Sequence, residues 1–154
     1  MQTSTLSIAE ISNGTVIDHI EAGKGLLIVK LLKLDKTQKK LLVGLNLPAS
    51  SLALKDIIKL EDKELTQEEA NQLAIISPKI TINIIENFQI QRKFNLIIPE
   101  AIENVIICPN QVCITNHEAI PTYFFSRKRS HSVQLRCKYC ERIFMQEEIQ
   151  HYHS

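Results

Sequence analysis

Apolar and other residues alternate along much of the first hundred positions, as they do in strands with one buried face. The clearest run is residues 79–84, where Ile80, Ile82 and Ile84 share one face and Thr81 and Asn83 the other. Comparable runs predict extended segments at residues 6–11, 15–20, 39–47, 55–61 and 88–98. Asn-Gly at 13–14 separates the first two of these runs, and Pro48 separates the next two.

Two other stretches are predicted to be helical. Residues 26–34 are apolar except for Lys30 and Lys33, a pattern open to strand or helix, and the lysine spacing favours helix. Thr66 and Glu69 form a capping-box pattern, in which each side chain accepts a hydrogen bond from the other residue's backbone N–H. A helix is therefore expected from Gln67 to about Ile76, ended by Pro78.

The order of these elements predicts an α+β fold, with an N-terminal ferredoxin-like antiparallel sheet carrying two helices on one face. The other face of such a sheet needs a cover. In a small domain that cover can be a ligand, a partner subunit or both.

All four cysteines lie in the last third of the chain, as two close pairs: Cys108 with Cys113, and Cys137 with Cys140. Paired spacings of this kind are typical of zinc knuckles, and four thiolates close a tetrahedral cage that leaves no position for a substrate. Strands are expected at residues 105–108, 133–137 and 142–144, which gives an all-β zinc ribbon. Residues 99–104 are expected to be a connector and residues 127–129, Arg-Lys-Arg, a solvated loop. Disulfides are the weaker alternative.

The 154 residues carry 18 basic and 17 acidic side chains, for a net charge of +1. This balance does not indicate a nucleic-acid-binding protein. We expect two domains, residues 1–98 and residues 99–154, with the zinc as a staple for the smaller one. No apolar run reaches the roughly 20 residues that span a bilayer, and the start lacks a basic secretory region. The cytoplasm is the expected location.

A few polar side chains in the first domain are candidates for binding an anion. Lys55 and Lys59 share a strand face, and Lys93 on a neighbouring strand could join them around a polyphosphate. Asn83 could bond a base or a sugar. For all four, ordinary solvent exposure is the competing interpretation. Asp18 and His19 do not form a hydrolytic triad, and no Walker or dinucleotide-binding motif is present.

Several of these segments together resemble one family, the regulatory chain of aspartate carbamoyltransferase. The resemblance runs over nearly the whole chain, and its order and cysteine spacing carry more weight than any single motif. The matching segments are GTVIDHI at 14–20, GLNLP at 44–48, KDIIKLE at 55–61, TIN at 81–83, CPN at 108–110, RKR at 127–129 and CKYCE at 137–141.

This resemblance implies a subunit that catalyses nothing. It implies an N-terminal domain that forms a homodimer and binds CTP as inhibitor and ATP as activator, with UTP as a further candidate. It also implies a domain with one structural Zn²⁺ that docks on catalytic chains, so that three regulatory dimers join two catalytic trimers. Coupling of this kind shifts a tense and relaxed equilibrium by about 1–3 kcal/mol. Glu10 and Phe88 depart from the family pattern beside the base, so the resemblance leaves base preference open.

Residue roles follow from the resemblance position by position. The nucleotide site would comprise Ile8, Ile11, Asp18, His19, Lys55, Lys59, Asn83, Ile85, Ile90 and Lys93. The metal ligands would be Cys108, Cys113, Cys137 and Cys140, and the surface toward catalytic chains would include Asn110, Arg129, Glu141 and Arg142. His151 and His153 are expected to be exposed in a polar tail. The alternatives are a nucleic-acid-binding zinc ribbon that uses residues 127–129, and a zinc enzyme, which an all-cysteine cage disfavours.

Overall fold

The computed structural model of the chain describes residues 10–50 and 53–153. The chain folds as two compact units, the first ending at Ile97 and the second beginning at Ile98. No helix within the described ranges is long and apolar enough to cross a bilayer.

The N-terminal unit is one antiparallel sheet with two helices. Its strands are β1 (Gly14–Glu21), β2 (Leu41–Pro48), β3 (Leu54–Glu61), β4 (Thr81–Glu86) and β5 (Gln89–Phe94), and its helices are α1 (Gly25–Leu31) and α2 (Gln67–Ile76). The strand order β2-β3-β1-β4-β5 extends a ferredoxin-like sheet by one edge strand. The predicted fold class is confirmed.

The core of this unit lies on one face of the sheet. Ile17, Ile58 and Ile82 are at most 1% exposed, as are Ile28 of α1 and Leu73 of α2. Thr66 caps α2, because its hydroxyl accepts the N–H of Glu69 while the Glu69 carboxylate accepts the N–H of Thr66. The capping box and both bounds of α2 are therefore confirmed.

Two predicted elements end earlier than expected. Lys33 takes a left-handed φ of 54°, so α1 ends at Leu31 and a separate 3₁₀ turn follows at Leu34–Lys36. Asn87 and Phe88 both have positive φ and form a two-residue hairpin turn, so the last strand starts at Gln89 and stops at Phe94. The strand predicted at residues 6–11 lies mostly outside the described residues, and Glu10 and Ile11 are not in a strand.

The second unit is a four-stranded antiparallel sheet, ordered β6-β7-β8-β9. Its strands are β6 (Ala101–Glu103), β7 (Tyr123–Arg129), β8 (Ser132–Cys137) and β9 (Ile143–Met145). Its core contains Ile102, Phe124 and Leu135, each at most 2% exposed.

Three predictions for this unit are wrong. Residues 99–104 are not a plain connector, because Ile102 in β6 pairs with Phe124 in β7. Strand β6 has only three residues, too few to show an alternation of apolar and polar positions. The Arg-Lys-Arg sequence ends strand β7 instead of forming a loop. Residues 105–108 are not a strand, since they form only an isolated bridge at Ile106. The polar tail is bound to this unit through its backbone, because His151 O accepts the N–H of Ile107 and His153 N donates to Val105 O.

Candidate functional site

The four cysteines of the second unit meet in one place. Their sulfur atoms all lie within 4.8 Å of one another, and Cys108, Cys113 and Cys137 are buried while Cys140 is partly exposed. The first pair comes from the loop before β7; of the second pair, Cys137 is the last residue of β8 and Cys140 lies in the turn that follows. No disulfide joins them, so the alternative interpretation from sequence is excluded.

The spacing of the sulfurs fits a tetrahedral zinc ion. With Zn–S bonds of about 2.3 Å, the edges of an S₄ tetrahedron are about 3.8 Å long. The Sγ atoms of Cys108 and Cys140 are 3.8 Å apart, and those of Cys113 and Cys137 are also 3.8 Å apart. The second unit therefore carries one structural zinc site with four cysteine ligands. The ion would supply cross-linking only, because the cage leaves no open position.

Backbone geometry holds both knuckles in shape. Cys113 N donates to Asn110 O, and the N–H of Glu141, at a left-handed φ of 64°, donates to Cys137 O. Asn116 Nδ2 donates to the carbonyls of Cys108 and Asn110 at 3.0 and 2.8 Å. Sequence reasoning missed Asn116, because nothing in the spacing around it distinguishes it from any loop asparagine.

The environment of the thiols explains why a cation belongs there. Burial raises the pKa of Cys108 and of Cys137, since a desolvated thiolate is penalised. Burial also acts to raise the pKa of Cys140. Hydrogen bonds from the Asn110 side chain, the Arg142 backbone and two neighbouring thiols outweigh burial and lower the pKa of Cys140 to about 7. Four thiolates packed this closely need a compensating dication.

Of the four residues expected to face catalytic chains, one is buried and three are exposed to solvent. Asn110 is 8% exposed and accepts the N–H of Val112, so it supports the first knuckle. Arg129, Glu141 and Arg142 are exposed. Large apolar side chains are exposed near them, with Val112 at 76%, Ile143 at 58% and Tyr139 at 41%. His151 and His153 are exposed, as expected.

The second candidate site lies on the sheet face of the N-terminal unit opposite its core, here called the open face. Cross-strand register puts Lys59 of β3, Val16 of β1, Asn83 of β4 and Lys93 of β5 in one row. Partners directly opposite each other in adjacent strands point to the same face. Three of the predicted site residues are thus brought together from three strands.

A second group lies beside this row, at a bulge in β1. Pairing of β1 with β3 shifts between Ile17 and Ile20, and His19 has a φ of 58°. Asp18 forms an ion pair with Lys55 at 2.9 Å, and its carboxylate also accepts the N–H of His19 at 2.6 Å. His19 Nδ1 lies 2.9 Å from Thr81 Oγ1. The sequence did not single out Thr81 as a contact of His19, because a bulge leaves no clear periodic signal.

The apolar residues predicted to line the nucleotide site differ in their solvent exposure. Ile85 and Ile90 are cross-strand partners, 8% and 54% exposed. Ile11 is 3% exposed, so its side chain belongs to the core and only its backbone can face a ligand. Ile8 lies outside the described residues.

Two features of the row favour a polar anionic ligand. The Oδ1 atom of Asn83 is buried and has no hydrogen-bond partner among the described residues, an arrangement that costs free energy unless a ligand supplies a donor. Burial lowers the pKa of Lys59, while Glu10 and Asp18 act against that shift. A partly desolvated ammonium interacts more strongly with a phosphate than a fully hydrated one does.

Comparison with known proteins covers both units. A family model described as the allosteric domain of the aspartate carbamoyltransferase regulatory chain matches residues 6–97, and one described as the metal binding domain of the same chain matches residues 100–150.

Individual relatives match nearly end to end. A protein from Aeromonas hydrophila is 44% identical over 148 residues, covering 96% of each chain, and one from Chromobacterium violaceum is 41% identical over 145 residues, covering 94% of this chain and 95% of the relative. A third, from Photobacterium profundum, is 43% identical over 144 residues, 94% of each chain. All three are named aspartate carbamoyltransferase regulatory chain.

Proposed function

The chain belongs to the family of aspartate carbamoyltransferase regulatory chains, and we propose that it senses nucleoside triphosphates on its open face. The second unit, from here on called the zinc unit, would transmit their effect to catalytic chains. It is a regulatory chain, and catalysis resides in a separate chain. The proposed ligands are CTP as inhibitor and ATP as activator, with UTP as a third candidate. The proposed setting is pyrimidine biosynthesis in the cytoplasm, where a reducing environment keeps four thiols available for zinc.

The observation that carries the nucleotide proposal is the cross-strand row of Lys59, Val16, Asn83 and Lys93. Three strand spacings of about 4.8 Å separate its ends by about 14 Å, which suits an extended nucleotide. In this arrangement Lys93 binds phosphates, Asn83 and Lys59 face the ribose and base, and Ile85 with Ile90 forms an apolar wall. Asp18 and His19 lie toward the base and sugar, and Lys55 approaches the phosphates or a second nucleotide.

Calorimetric titration of the full zinc-loaded chain with CTP, ATP and UTP tests this proposal. Lys93→Met should weaken triphosphate binding by about tenfold while changing the binding of the uncharged nucleoside far less, because it removes one phosphate partner. Lys79→Met, on an exposed lysine outside the row, is the matched control. Absence of heat with all three triphosphates in the natural chain would overturn the proposal.

We also propose that the zinc unit is the part that docks on catalytic chains. Support comes from the exposed apolar side chains Val112, Tyr139 and Ile143, which lie in or beside the two knuckles next to charged Arg129, Glu141 and Arg142. A patch of this kind is typical of a protein interface. Val112→Asp should abolish assembly with catalytic trimers, measured by light scattering after mixing, while an unchanged zinc content would show that the variant is folded.

The proposed homodimer would use an edge of the N-terminal sheet. β2 is an edge strand without a charged residue, and Leu45 in it is 43% exposed. Edge strands that avoid pairing usually carry charges. Leu45→Lys should therefore convert the dimer to a monomer in sedimentation equilibrium, whereas Leu54→Lys, at another exposed leucine, should not.

A nucleic-acid-binding zinc ribbon is less well supported. Stacking of bases needs free aromatic faces. In the zinc unit the Arg136 guanidinium lies 4.8 Å from the Phe125 ring centroid, and the Lys138 ammonium lies 4.9 Å from that of Tyr123. These rings already have cation–π partners within the chain.

A further inference from the structure

Asp56 is a fully buried carboxylate that the proposed nucleotide contacts do not use. It is 0% exposed and lies on β3 between Lys55 and Ile57. None of the ion pairs formed by the described residues includes it. A buried charge without a counter-ion must be stabilised by hydrogen bonds. Within the described part of the chain, Asp56 accepts these bonds from backbone N–H groups.

The three donors come from two separate segments. Oδ2 accepts the N–H of Gly23 at 3.1 Å and that of Gly25 at 2.9 Å, and Oδ1 accepts the N–H of Asn46 at 2.9 Å. Gly23 lies in the turn that leads from β1 into α1, and Gly25 is the first residue of α1. Asn46 lies in the bulge of β2, where pairing with β3 shifts between Gly44 and Leu47. One side chain on β3 thus fixes both neighbouring segments.

The packing around Gly25 shows how closely the turn depends on this carboxylate. A Cβ added at Gly25 would lie 2.9 Å from Asp56 Oδ2 and 3.0 Å from Asp56 Cβ. Only a glycine allows the backbone to approach so closely. The glycine and the aspartate are therefore two halves of one contact.

This contact lies directly behind the polar cluster on the open face. Ile20 of β1 is the cross-strand partner of Asp56, and the bulge that precedes Ile20 contains Asp18 and His19. On β3 the residue before Asp56 is Lys55, which forms the ion pair with Asp18. Gly23, which Asp56 binds, lies two residues beyond the end of β1 at Glu21. Holding the turn therefore holds the bulge and the polar groups on it.

We propose that Asp56 is a positioning residue for the nucleotide site: its carboxylate fixes the turn after β1 and the bulge of β2, and so sets the distance between Asp18–His19 on β1 and Lys55–Lys59 on β3. This inference rests on the proposed nucleotide function. It adds Asp56, which would not touch the nucleotide, to the residues that determine nucleotide affinity. It also connects the open face to the edge strand β2. A misplacement of a fraction of an ångström in a supporting group is enough to weaken a binding site.

Asp56→Asn tests the inference, because an asparagine has nearly the same shape but only one acceptor oxygen. Its NH₂ group must face either the glycine N–H groups or the N–H of Asn46, so one contact becomes a clash. We expect CTP and ATP to bind about tenfold more weakly by calorimetry, with faster amide exchange at Gly25 and Asn46. Thr66→Ala is the control, since it destabilises the same unit at the cap of α2, which contributes no residue to the row.

The comparison separates positioning from stability. Thr66→Ala should leave nucleotide affinity within about twofold at a temperature where both variants are folded, since a cap contributes only to stability. If Asp56→Asn also binds within twofold of the natural chain, the inference is overturned. Should Asp56→Asn not fold, Gly25→Ala decides instead: it keeps the carboxylate but displaces it, and unchanged affinity would equally overturn the inference. If the natural chain itself takes up no triphosphate, the nucleotide proposal fails, which is a different result.

Discussion

The N-terminal unit buries a core rich in isoleucine and leucine between a five-stranded sheet and two helices, whereas the zinc unit closes around four sulfur atoms. Within residues 98–153 the only helical segments are short 3₁₀ turns. A unit of this size has little apolar surface to bury, so a metal contributes what its core cannot. One chain thus combines a part stabilised by packing with a part stabilised by coordination, and the two should fail separately.

Removing the zinc should produce the largest effect. Structural zinc sites have apparent binding free energies of about 10–16 kcal/mol, which is also folding free energy for a unit that cannot fold without the ion. We expect Cys113→Ser, or titration of the thiols with a mercurial, to unfold the zinc unit and release the chain from catalytic trimers. The N-terminal unit should keep its circular dichroism and its amide protection.

The control for this prediction is His131→Ala, which removes an exposed histidine outside the cage. It should change neither the zinc content nor the mass of the assembly. An assembly of unchanged mass after Cys113→Ser would show that the cage does not support the docking surface, and a loss of N-terminal structure would show that the two units are not independent.

A core truncation should produce the opposite result. Ile58 is 0% exposed at the centre of β3, so Ile58→Ala leaves a cavity and should destabilise the N-terminal unit by about 2–5 kcal/mol. Zinc content, measured by metal analysis of the folded fraction, should stay at one ion per chain. Leu54→Ala, at a leucine 52% exposed, is the matched control with an expected change below about 0.5 kcal/mol. Loss of zinc in Ile58→Ala would contradict the separation.

Loss of the α2 cap is the next smaller effect. Thr66→Ala removes the hydroxyl that accepts the N–H of Glu69 and should reduce the stability of the N-terminal unit by about 1 kcal/mol in urea unfolding. Thr66→Ser keeps a hydroxyl and should restore most of that loss. Equal stability of the alanine and serine variants would mean that the capping box contributes nothing measurable.

The smallest effect concerns the protonation of Lys59. Burial places the pKa of the Lys59 ammonium below its ordinary value of 10.5 in the folded chain. Between the folded and the unfolded pKa the unfolded state binds more protons, so stability should rise with pH across that interval. Lys59→Met should flatten this rise, and Lys79→Met should not. A nucleotide whose ribose and base lie against Lys59 should change the pKa of this residue, detectable by NMR titration of its side chain; an unchanged pKa would show that the nucleotide does not reach Lys59.

The sequence predicted the parts of both units that depend on local signals. The capping box at Thr66 and Glu69 specified the start of α2, and Pro78 specified its end, because both signals act within a few residues. Alternation of isoleucines indicated β4, and the two cysteine pairs indicated the metal cage. Strand β6 was missed because three residues carry no readable period, and the turn at Asn87 and Phe88 was missed because a phenylalanine rarely adopts a positive φ.

The amino-acid order alone determined which residues are apolar, which can cap, and which can bind a metal, since each of these properties belongs to a side chain and its near neighbours. The register of the strands decided the rest. Lys59, Asn83 and Lys93 are far apart in sequence and form a row only because β3, β1, β4 and β5 lie side by side. The role proposed for Asp56 depends likewise on two bulges that oppose β3, and a bulge is fixed by the packing of the whole sheet.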